Sequence, residues 1–299
     1  MEYRDGSRWG TGRAFAALSR PQFLAATPLL YTFGALLSGN LDPFLWLLAL
    51  PAVLLAHLQA HLANDYFDRH TDTGEGTFFS GGSGVLVQGR LDPRDSLLGE
   101  GAMIAGSLLL GLLVVLMGGS WPFLLVLATA IVMGVLYSAP PLRMVSTGLG
   151  EAWVGVMLGL LIPLSGFTVQ AGLPGLELLL LCLPLVVLGI PTILGFELPD
   201  YGPDTRVGKG NLYYRLGLGR GKVLHSILLL LPYPMFIALS LLLGSQVLVQ
   251  LLSLPVALYI VERLLRRDTS QSGVALQVAT ATAVLFVLAS LLALFQVVV

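Results

Sequence analysis

The chain has 299 residues, of which 56% are hydrophobic and only 11% are charged, a balance far outside the range of soluble domains. Its formal net charge of -1 offers no basic field for a nucleic acid, so we expect no nucleic-acid partner. Apolar runs of about 20 residues recur along the chain, each long enough to cross the hydrocarbon core of a bilayer. The sequence therefore predicts an all-α, polytopic protein embedded in the lipid bilayer.

Nine transmembrane helices follow when glycine, proline and charged residues are taken as the ends of the apolar runs. They lie near residues 21–38, 42–63, 98–118, 121–138, 147–170, 175–198, 222–244, 245–263 and 273–298. Residues 1–20 are polar and lack a short apolar core followed by a cleavage site, so we expect a retained cytoplasmic segment rather than a signal peptide. Residues 21–299 are expected to form a single transmembrane domain.

The positive charges orient the nine spans, because cytoplasmic connections collect lysine and arginine. All 16 lie on one side in this arrangement: Arg4, Arg8, Arg13, Arg20, Arg69, Arg90, Arg94, Arg143, Arg206, Lys209, Arg215, Arg220, Lys222, Arg263, Arg266 and Arg267. We therefore expect a cytoplasmic N-terminus and a C-terminus on the opposite side. The two long polar connections, 64–97 and 199–221, then both face the cytoplasm, and in a prokaryote the membrane would be the plasma membrane.

The end of the second span carries a dense group of acidic side chains. Asn64, Asp68 and Asp72 are spaced by four residues, which places them on one face of a helix, and Asp65 forms an overlapping set with the two later aspartates. Carboxylates this close repel one another unless a cation neutralises them, and a hard divalent ion prefers oxygen ligands. A solvated acidic helix end, helped by Arg69, is the alternative, but ionisable groups at a membrane span are usually functional.

The connection that follows, 78–90, is rich in glycine and serine and ends in Arg90. Consecutive small residues expose backbone N–H groups, which can surround an anion, although a flexible linker has the same composition. One turn before the acidic group, His57 and His61 have the spacing of a zinc-binding pair. Because Leu58 stands where the metalloprotease pattern needs glutamate, we expect these histidines to pack or to form hydrogen bonds.

A second acidic group ends the sixth span. Asp200 and Asp204 repeat the four-residue spacing, Glu197 precedes them by three residues, and Arg206 and Lys209 follow within five. Carboxylates for a metal ion thus stand beside cations for phosphate, the combination that a magnesium-bridged phosphate requires. Two prolines in this stretch make a continuous helix less certain than in the first group. The charge map puts both groups on the same membrane face, so we expect one shared site above an apolar interior.

These motifs resemble those of the UbiA superfamily of intramembrane prenyltransferases. The family's NDxxDxxxD pattern matches residues 64–72, its DxxxD pattern matches Asp200 to Asp204, and Gly208-Lys209 and Arg215-Leu216-Gly217 resemble the run that follows in many members. The segment from Tyr137 to Arg143 also looks like a family segment. The resemblance covers nearly the whole chain, and the family fold has nine spans.

The resemblance implies Mg²⁺-dependent transfer of a polyprenyl group from its diphosphate to an aromatic acceptor, with Mn²⁺ as an alternative ion. It implies metal binding and catalysis by Asp68, Asp72, Asp200 and Asp204, with Asn64 and Asp65 as further metal ligands. Diphosphate contacts are expected from Arg90, Arg206 and Lys209, and a substrate pocket from Tyr137, Arg143, His61 and Glu197. Metal and cations would stabilise the charge on the leaving diphosphate.

Two departures from the family pattern concern the acceptor. Many members carry Tyr-x-x-x-Lys after the fourth span, where this chain has Tyr137 and then Pro141, so Arg143 would have to replace the lysine. The glycine-rich segment 81–84 stands where many members have arginines. The Gly-Gly-Ser segment and the Glu-Leu-Pro-Asp-Tyr form of the second motif, residues 197–201, look most like the branch that prenylates 1,4-dihydroxy-2-naphthoate for menaquinone synthesis. Acceptors used elsewhere in the family, namely 4-hydroxybenzoate, homogentisate, a tetrapyrrole or a glycerol-phosphate lipid, remain alternatives.

Three other functions compete with this interpretation. A cation transporter would carry its carboxylates near the membrane midplane, whereas these lie at helix ends. A CDP-alcohol phosphotransferase would show a DGxxAR motif, which is not found beside Asp65 to Asp72. A metal-binding structural protein would need the same ligands without any reaction.

Overall fold

The computed structural model describes residues 10–72, 78–79 and 82–298. Within these ranges the protein is helical and contains no β-strand. The α-helices are α1 Thr11–Ser19, α2 Thr27–Leu37, α3 Pro43–Asp68, α4 Pro93–Leu116, α5 Pro122–Ser138, α6 Gly150–Val156, α7 Ile162–Gln170, α8 Leu176–Glu197, α9 Tyr201–Val207, α10 Leu212–Leu230, α11 Pro232–Leu243, α12 Leu254–Arg266 and α13 Ser272–Val298. A π turn, Met157–Leu161, joins α6 to α7, and 3₁₀ segments occur at Pro21–Leu24, Met144–Ser146, Leu198–Asp200 and Ser245–Ser253.

The described chain contains seven helical segments that are long and apolar enough to cross a membrane. They are Pro43–Asp68, Pro93–Leu116, Gly150–Gln170, Leu176–Val207, Leu212–Leu243, Ser245–Arg266 and Ser272–Val298. Pro122–Ser138 is apolar but shorter, and α2 has only 11 residues. The structure thus confirms a helical protein with several candidate membrane spans, while the count of nine and the orientation of the ends stay predictions.

Local sequence explains where the helices next to the site begin. The carboxylate of Asp42 accepts hydrogen bonds from the backbone N–H groups of Phe44, at 2.8 Å, and Leu45, at 3.2 Å, so α3 is capped just before Pro43. Asn211 caps α10 in the same way through the N–H of Tyr214, at 2.9 Å. This cap starts the first turn of α10 inside the predicted connection 199–221, where the charged residues suggested a loop. The turn is separated from the rest of α10 by a kink at Gly217, whose backbone is not helical (φ 74°, ψ 155°).

Helix α8 is the centre of the bundle and packs against α6, α10, α11 and α13. Small residues allow these helices to approach closely. A Cβ added to Gly189 would lie 2.8 Å from the Cα of Gly155, and a Cβ at Gly34 or Gly166 would collide with backbone of the partner helix at the α2–α7 contact. Helix α8, which carries part of the site, is thus held against α6, and α2 against α7, through close backbone contacts.

We expect Gly166→Val to force α7 away from Tyr31 of α2, at a cost of about 1–3 kcal/mol for overpacking a close contact. The thermal unfolding midpoint of the purified protein in detergent should fall. Gly101→Val is the matched control, because a Cβ at this exposed glycine of α4 meets nothing within 4 Å. Equal midpoints for the two variants would contradict the close α2–α7 packing.

Candidate active site

A cavity of about 220 Å³ lies between the ends of α3, α8 and α9 and the interior of the bundle. Its polar lining includes Asn64, Asp72, Asp200, Asp204 and Lys209. Its apolar lining comes from residues deeper in the bundle, Met157, Leu158, Ile193, Phe286 and Val287. One cavity therefore joins a charged mouth to a hydrocarbon-like interior.

The first acidic motif converges as its spacing predicts. The side-chain amide of Asn64 donates to Asp68 Oδ2 and to Ser138 Oγ, each at 3.0 Å. Asp72 follows the last turn of α3, and its backbone N–H still donates to the carbonyl of Asp68 at 2.8 Å. Arg143 from the connection after α5 places Nη2 3.5 Å from Asp68 Oδ1. Asp68 is thereby almost inaccessible to solvent, at 1% exposure.

Lys209 lies among the carboxylates of both acidic motifs. Its Nζ is 3.2 Å from Asp68 Oδ2 and 3.4 Å from Asp72 Oδ1, and its backbone N–H donates to the carbonyl of Asp204 at 3.0 Å. Burial raises the pKa of Asp72 to about 6, although the charge of Lys209 opposes the shift. Burial also acts against the charge of Lys209, but the carboxylates of Asp68, Asp72 and Asp204 raise its pKa above the ordinary value. The ammonium group therefore stays charged and offsets the acidic cluster.

Asp65 is buried and is not among the residues that line the cavity. Its carboxylate forms an ion pair and a hydrogen bond with Arg20, and it accepts hydrogen bonds from the backbone N–H of Ser83, at 3.1 Å, and from the Ser83 hydroxyl. Asp65 thus ties the segment before α2 and the glycine-rich connection to α3. Its predicted role as a metal ligand stays a prediction. Arg20 lines the cavity but was not predicted as a site residue, since only its place before the first span marks it.

The second motif keeps its carboxylates together despite the prolines. Pro199 falls inside a single 3₁₀ turn and Pro203 in the first turns of α9, positions where a missing N–H is tolerated. Asp200 and Asp204 both line the cavity, and the amide of Asn211 donates to Asp204 Oδ2 at 2.9 Å. The prolines therefore change the helix type and leave the two carboxylates at the same mouth.

The other predicted residues separate into two groups. His61, Tyr137 and Glu197 line the cavity. Arg90, Arg143 and Arg206 lie outside the lining, and Arg206 is exposed on α9. The buried Asp68 also lies outside the lining, next to Asn64 and Lys209, which belong to it. Among the residues that the structure describes, no group of three or more histidine, cysteine, aspartate or glutamate side chains is already arranged around a metal position.

The donor set nevertheless suits a magnesium ion. Within the described ranges, Asp68 Oδ1 is buried and accepts no hydrogen bond, and Asn64, Asp72, Asp200 and Asp204 supply further oxygen atoms at the same mouth. These are the hard oxygen ligands that Mg²⁺ takes in proteins, often shared with phosphate. The residues therefore fit a magnesium-bound diphosphate, for which Lys209 supplies an additional cation.

Comparison with known proteins identifies the family. The model of the UbiA prenyltransferase family matches residues 26–280. The chain belongs to the UbiA prenyltransferase family. A 1,4-dihydroxy-2-naphthoate octaprenyltransferase from Bacillus subtilis is 27% identical to this prenyltransferase over 211 residues, which cover 69% of this chain and 67% of the relative.

Solved structures share the fold of this prenyltransferase at low identity. A UbiA homologue from Archaeoglobus fulgidus bound to GPP and Mg²⁺ superimposes with a TM-score of 0.71 and 17% identity, covering 94% of this chain and 99% of that one. The apo structure of a UbiA homologue from Aeropyrum pernix K1 gives a TM-score of 0.68 and 17% identity, covering 92% and 96%. These structures establish a common helical architecture.

We expect Lys209→Met to leave a buried cluster of carboxylates without its cation. The metal-free variant should be less stable than the wild type by about 3 kcal/mol, the scale of a broken buried ion pair, and added Mg²⁺ should raise its thermal midpoint more than that of the wild type. Arg206→Met is the control, because it removes an exposed charge outside the cavity lining. A wild-type midpoint for metal-free Lys209→Met would contradict the role of Lys209 as counter-ion.

Proposed function

We propose that this prenyltransferase transfers a polyprenyl group from polyprenyl diphosphate to an aromatic acceptor, 1,4-dihydroxy-2-naphthoate, in a Mg²⁺-dependent reaction. The observation that carries the proposal is the single cavity in which a mouth of carboxylates and Lys209 opens into an apolar interior. A diphosphate needs the charged mouth, and a polyprenyl chain needs the apolar interior. The acceptor is supported by the name of the Bacillus subtilis relative, and the donor and ion by the GPP and Mg²⁺ in the Archaeoglobus fulgidus homologue.

In this proposal the two acidic motifs share the binding of the magnesium-bound diphosphate. Asn64, Asp68 and Asp72 contribute from the end of α3, and Asp200 and Asp204 from the turn between α8 and α9. Bound Mg²⁺ would stabilise the negative charge that develops on the leaving diphosphate. Lys209 already lies beside Asp68 and Asp72 and would share its positive charge with the leaving group. Mn²⁺ remains an alternative ion.

Aromatic rings form the wall of the cavity next to this mouth. The rings of Phe79 and Phe196 stack with an interplanar angle of 4° and a centroid separation of 5.4 Å, and Phe23 lies 5.1 Å from Phe196. Ring faces stabilise a nearby positive charge, and their apolar surface excludes water. We propose that these three rings surround the allylic end of the donor, whose positive charge grows as the diphosphate leaves. Water would otherwise capture that carbon.

The acceptor is expected to reach the cavity beside Tyr137, His61 and Glu197, which line it between the acidic mouth and the apolar interior. Arg143 would act through its ion pair with Asp68, and Arg90 and Arg206 would meet only a diphosphate that is entering or leaving. Other acceptors of the family, 4-hydroxybenzoate, homogentisate, a tetrapyrrole or a glycerol-phosphate lipid, would occupy the same place. The rival interpretation as a cation transporter is less favoured, because the carboxylates lie at helix ends.

Product identification tests the proposed reaction. Purified protein with Mg²⁺ is offered polyprenyl diphosphates of several lengths and each aromatic acceptor in turn, and products are identified by mass spectrometry. We expect a prenylated product from 1,4-dihydroxy-2-naphthoate, and a loss of at least about 10²-fold in rate for Asp68→Asn and for Asp204→Asn, the scale of one lost charge-stabilising group.

Two further variants serve as comparisons in the same assay. Asp95→Asn changes an exposed carboxylate at the start of α4 and should keep the wild-type rate. Asp65→Asn should lose less than Asp68→Asn, since Asp65 binds Arg20 and Ser83, whereas Asp68 pairs with Lys209. Cation transport by the protein in liposomes, without any prenylated product, would refute the proposed reaction. A product from another acceptor would refute only the choice of acceptor.

We also propose nine spans with a cytoplasmic N-terminus, in a plasma membrane, with residues 21–299 as one domain and the site facing the cytoplasm. The one-sided distribution of lysine and arginine supports this orientation. Single cysteines can report it in a Cys182→Ala background, since Cys182 is the chain's one cysteine. With a membrane-impermeant maleimide, we expect Asp95→Cys to react only in inside-out vesicles and Gly172→Cys only in intact cells. The reverse labelling would contradict the orientation.

A further inference from the structure

Two glutamate side chains meet beside the cavity, one turn before the second acidic motif. Glu151 belongs to α6 and is 1% exposed, and Glu197 is the last residue of α8. The carboxyl groups lie within hydrogen-bonding reach of each other. Glu151 Oε1 accepts the backbone N–H of Leu212, at 2.6 Å, which fixes this side chain against the start of α10.

One carboxylate oxygen of each glutamate accepts no hydrogen bond in the described part of the chain. Glu151 Oε2 and Glu197 Oε2 are both shielded from solvent and accept no hydrogen bond there. Two adjacent buried carboxylates cannot both remain ionised, so the pair is expected to share one proton and carry one negative charge. The hydrogen bond to Leu212 at the start of α10 accounts for only one of the four carboxylate oxygens of the pair. A glutamine at position 151 could accept the same hydrogen bond. Stability alone therefore does not explain this pair.

The groups around the pair come from several elements. Glu197 interacts electrostatically with Asp204 and Lys209, and Glu151 with Arg215. Tyr137 of α5 and Tyr213 of α10 are the phenol groups near Glu197. Glu197 and Tyr137 line the cavity, whereas Glu151 lies behind Glu197. The carboxyl group of Glu197 is therefore next to the place where an acceptor reaches the aromatic wall.

We propose that Glu197 takes the hydroxyl proton of the aromatic acceptor as the new carbon–carbon bond forms, and that Glu151 is the positioning residue that orients it. This inference rests on the proposed prenyl transfer. It assigns the acceptor a hydroxyl group adjacent or opposite to the reacting ring carbon, which is the arrangement that makes a ring carbon nucleophilic.

The step balances without any further reagent. The ring carbon of the acceptor forms a bond to the first carbon of the prenyl group, and the bond from that carbon to the diphosphate oxygen breaks with its electron pair leaving on the diphosphate. The hydroxyl O–H bond breaks, its electrons form a carbonyl, and the proton goes to Glu197. The ring carbon then loses its other substituent as a proton or as carbon dioxide, the ring becomes aromatic again, and the oxygen regains a proton.

The test compares Glu197→Gln with the wild type in the presence of Mg²⁺, using hydroxy-aromatic acceptors of increasing hydroxyl acidity. We expect kcat of the variant to fall by about 10²-fold with the weakest acid and to recover as the acceptor becomes more acidic, whereas the wild type should depend little on acidity. The KM for the polyprenyl diphosphate should stay unchanged. Glu151→Gln should give a smaller loss of the same kind, because its amide can still accept from Leu212.

Glu177→Gln is the matched control, since it removes an exposed carboxylate from the first turn of the same helix α8 and should behave as the wild type. A loss in Glu197→Gln that is equal for all acceptors would overturn the inference, because a structural defect does not depend on acceptor acidity. If that variant does not fold, the test uses the wild type with an O-methylated acceptor, which has no hydroxyl proton to give, and compares its turnover with that of the free hydroxyl compound. Turnover of the methyl ether at the rate of the free hydroxyl would overturn the inference.

These outcomes separate the inference from the proposed function. If the wild type forms no prenylated product from any aromatic acceptor, the proposed function fails, and the role of Glu197 fails with it. If the wild type forms product but the acceptor-acidity dependence of Glu197→Gln equals that of the wild type, only the role of Glu197 fails.

Discussion

The ion pairs of Lys209 with Asp68 and Asp72 are the constraint on which the rest of the site depends. Carboxylates at the ends of membrane helices are costly unless a cation lies within a few ångströms. Lys209 supplies this cation from the loop between α9 and α10. It thereby brings the end of α3 and the end of α8 to the same place. A diphosphate-bound metal would take over part of this neutralisation, so the cluster is prepared for a ligand of mixed charge. The apolar cavity beneath then gains a defined charged end.

Much of this architecture could be predicted from the sequence, because lipid burial acts on every residue of a span. Apolar runs gave the long helices, and the four-residue spacing gave the approach of Asn64 and Asp68, which their 3.0 Å hydrogen bond confirms. Hydropathy did not predict the start of α10, because a criterion based on apolar runs assigns charged residues to loops. There the cap by Asn211 outweighs the polarity of the first turns. The short α2 shows the same limit at its start: the predicted span begins at residue 21, but α2 begins at Thr27, after a 3₁₀ segment.

Contacts between distant residues could not be predicted in this way. The spacing placed Asp65 with the metal ligands, yet its partners are Arg20 and Ser83, which lie 45 and 18 residues away along the chain. Arg206 looked like a phosphate contact by proximity in sequence, but it projects from the exposed side of α9. Glu151 has no motif around it. Its only signal is an acidic residue inside a predicted membrane span, and that signal indicates importance without naming a partner.

The contacts of Asp65 have a consequence for how enzymes with this architecture diversify. Asp65 binds Ser83 of the connection after α3, while its neighbour Asn64 lines the cavity. Anchoring and chemistry are therefore assigned to adjacent residues. Apart from Phe79, whose ring belongs to the cavity wall, the connection can change its sequence at the cavity entrance as long as this anchor is kept. Selection can then act on the entrance while the acidic mouth stays in place.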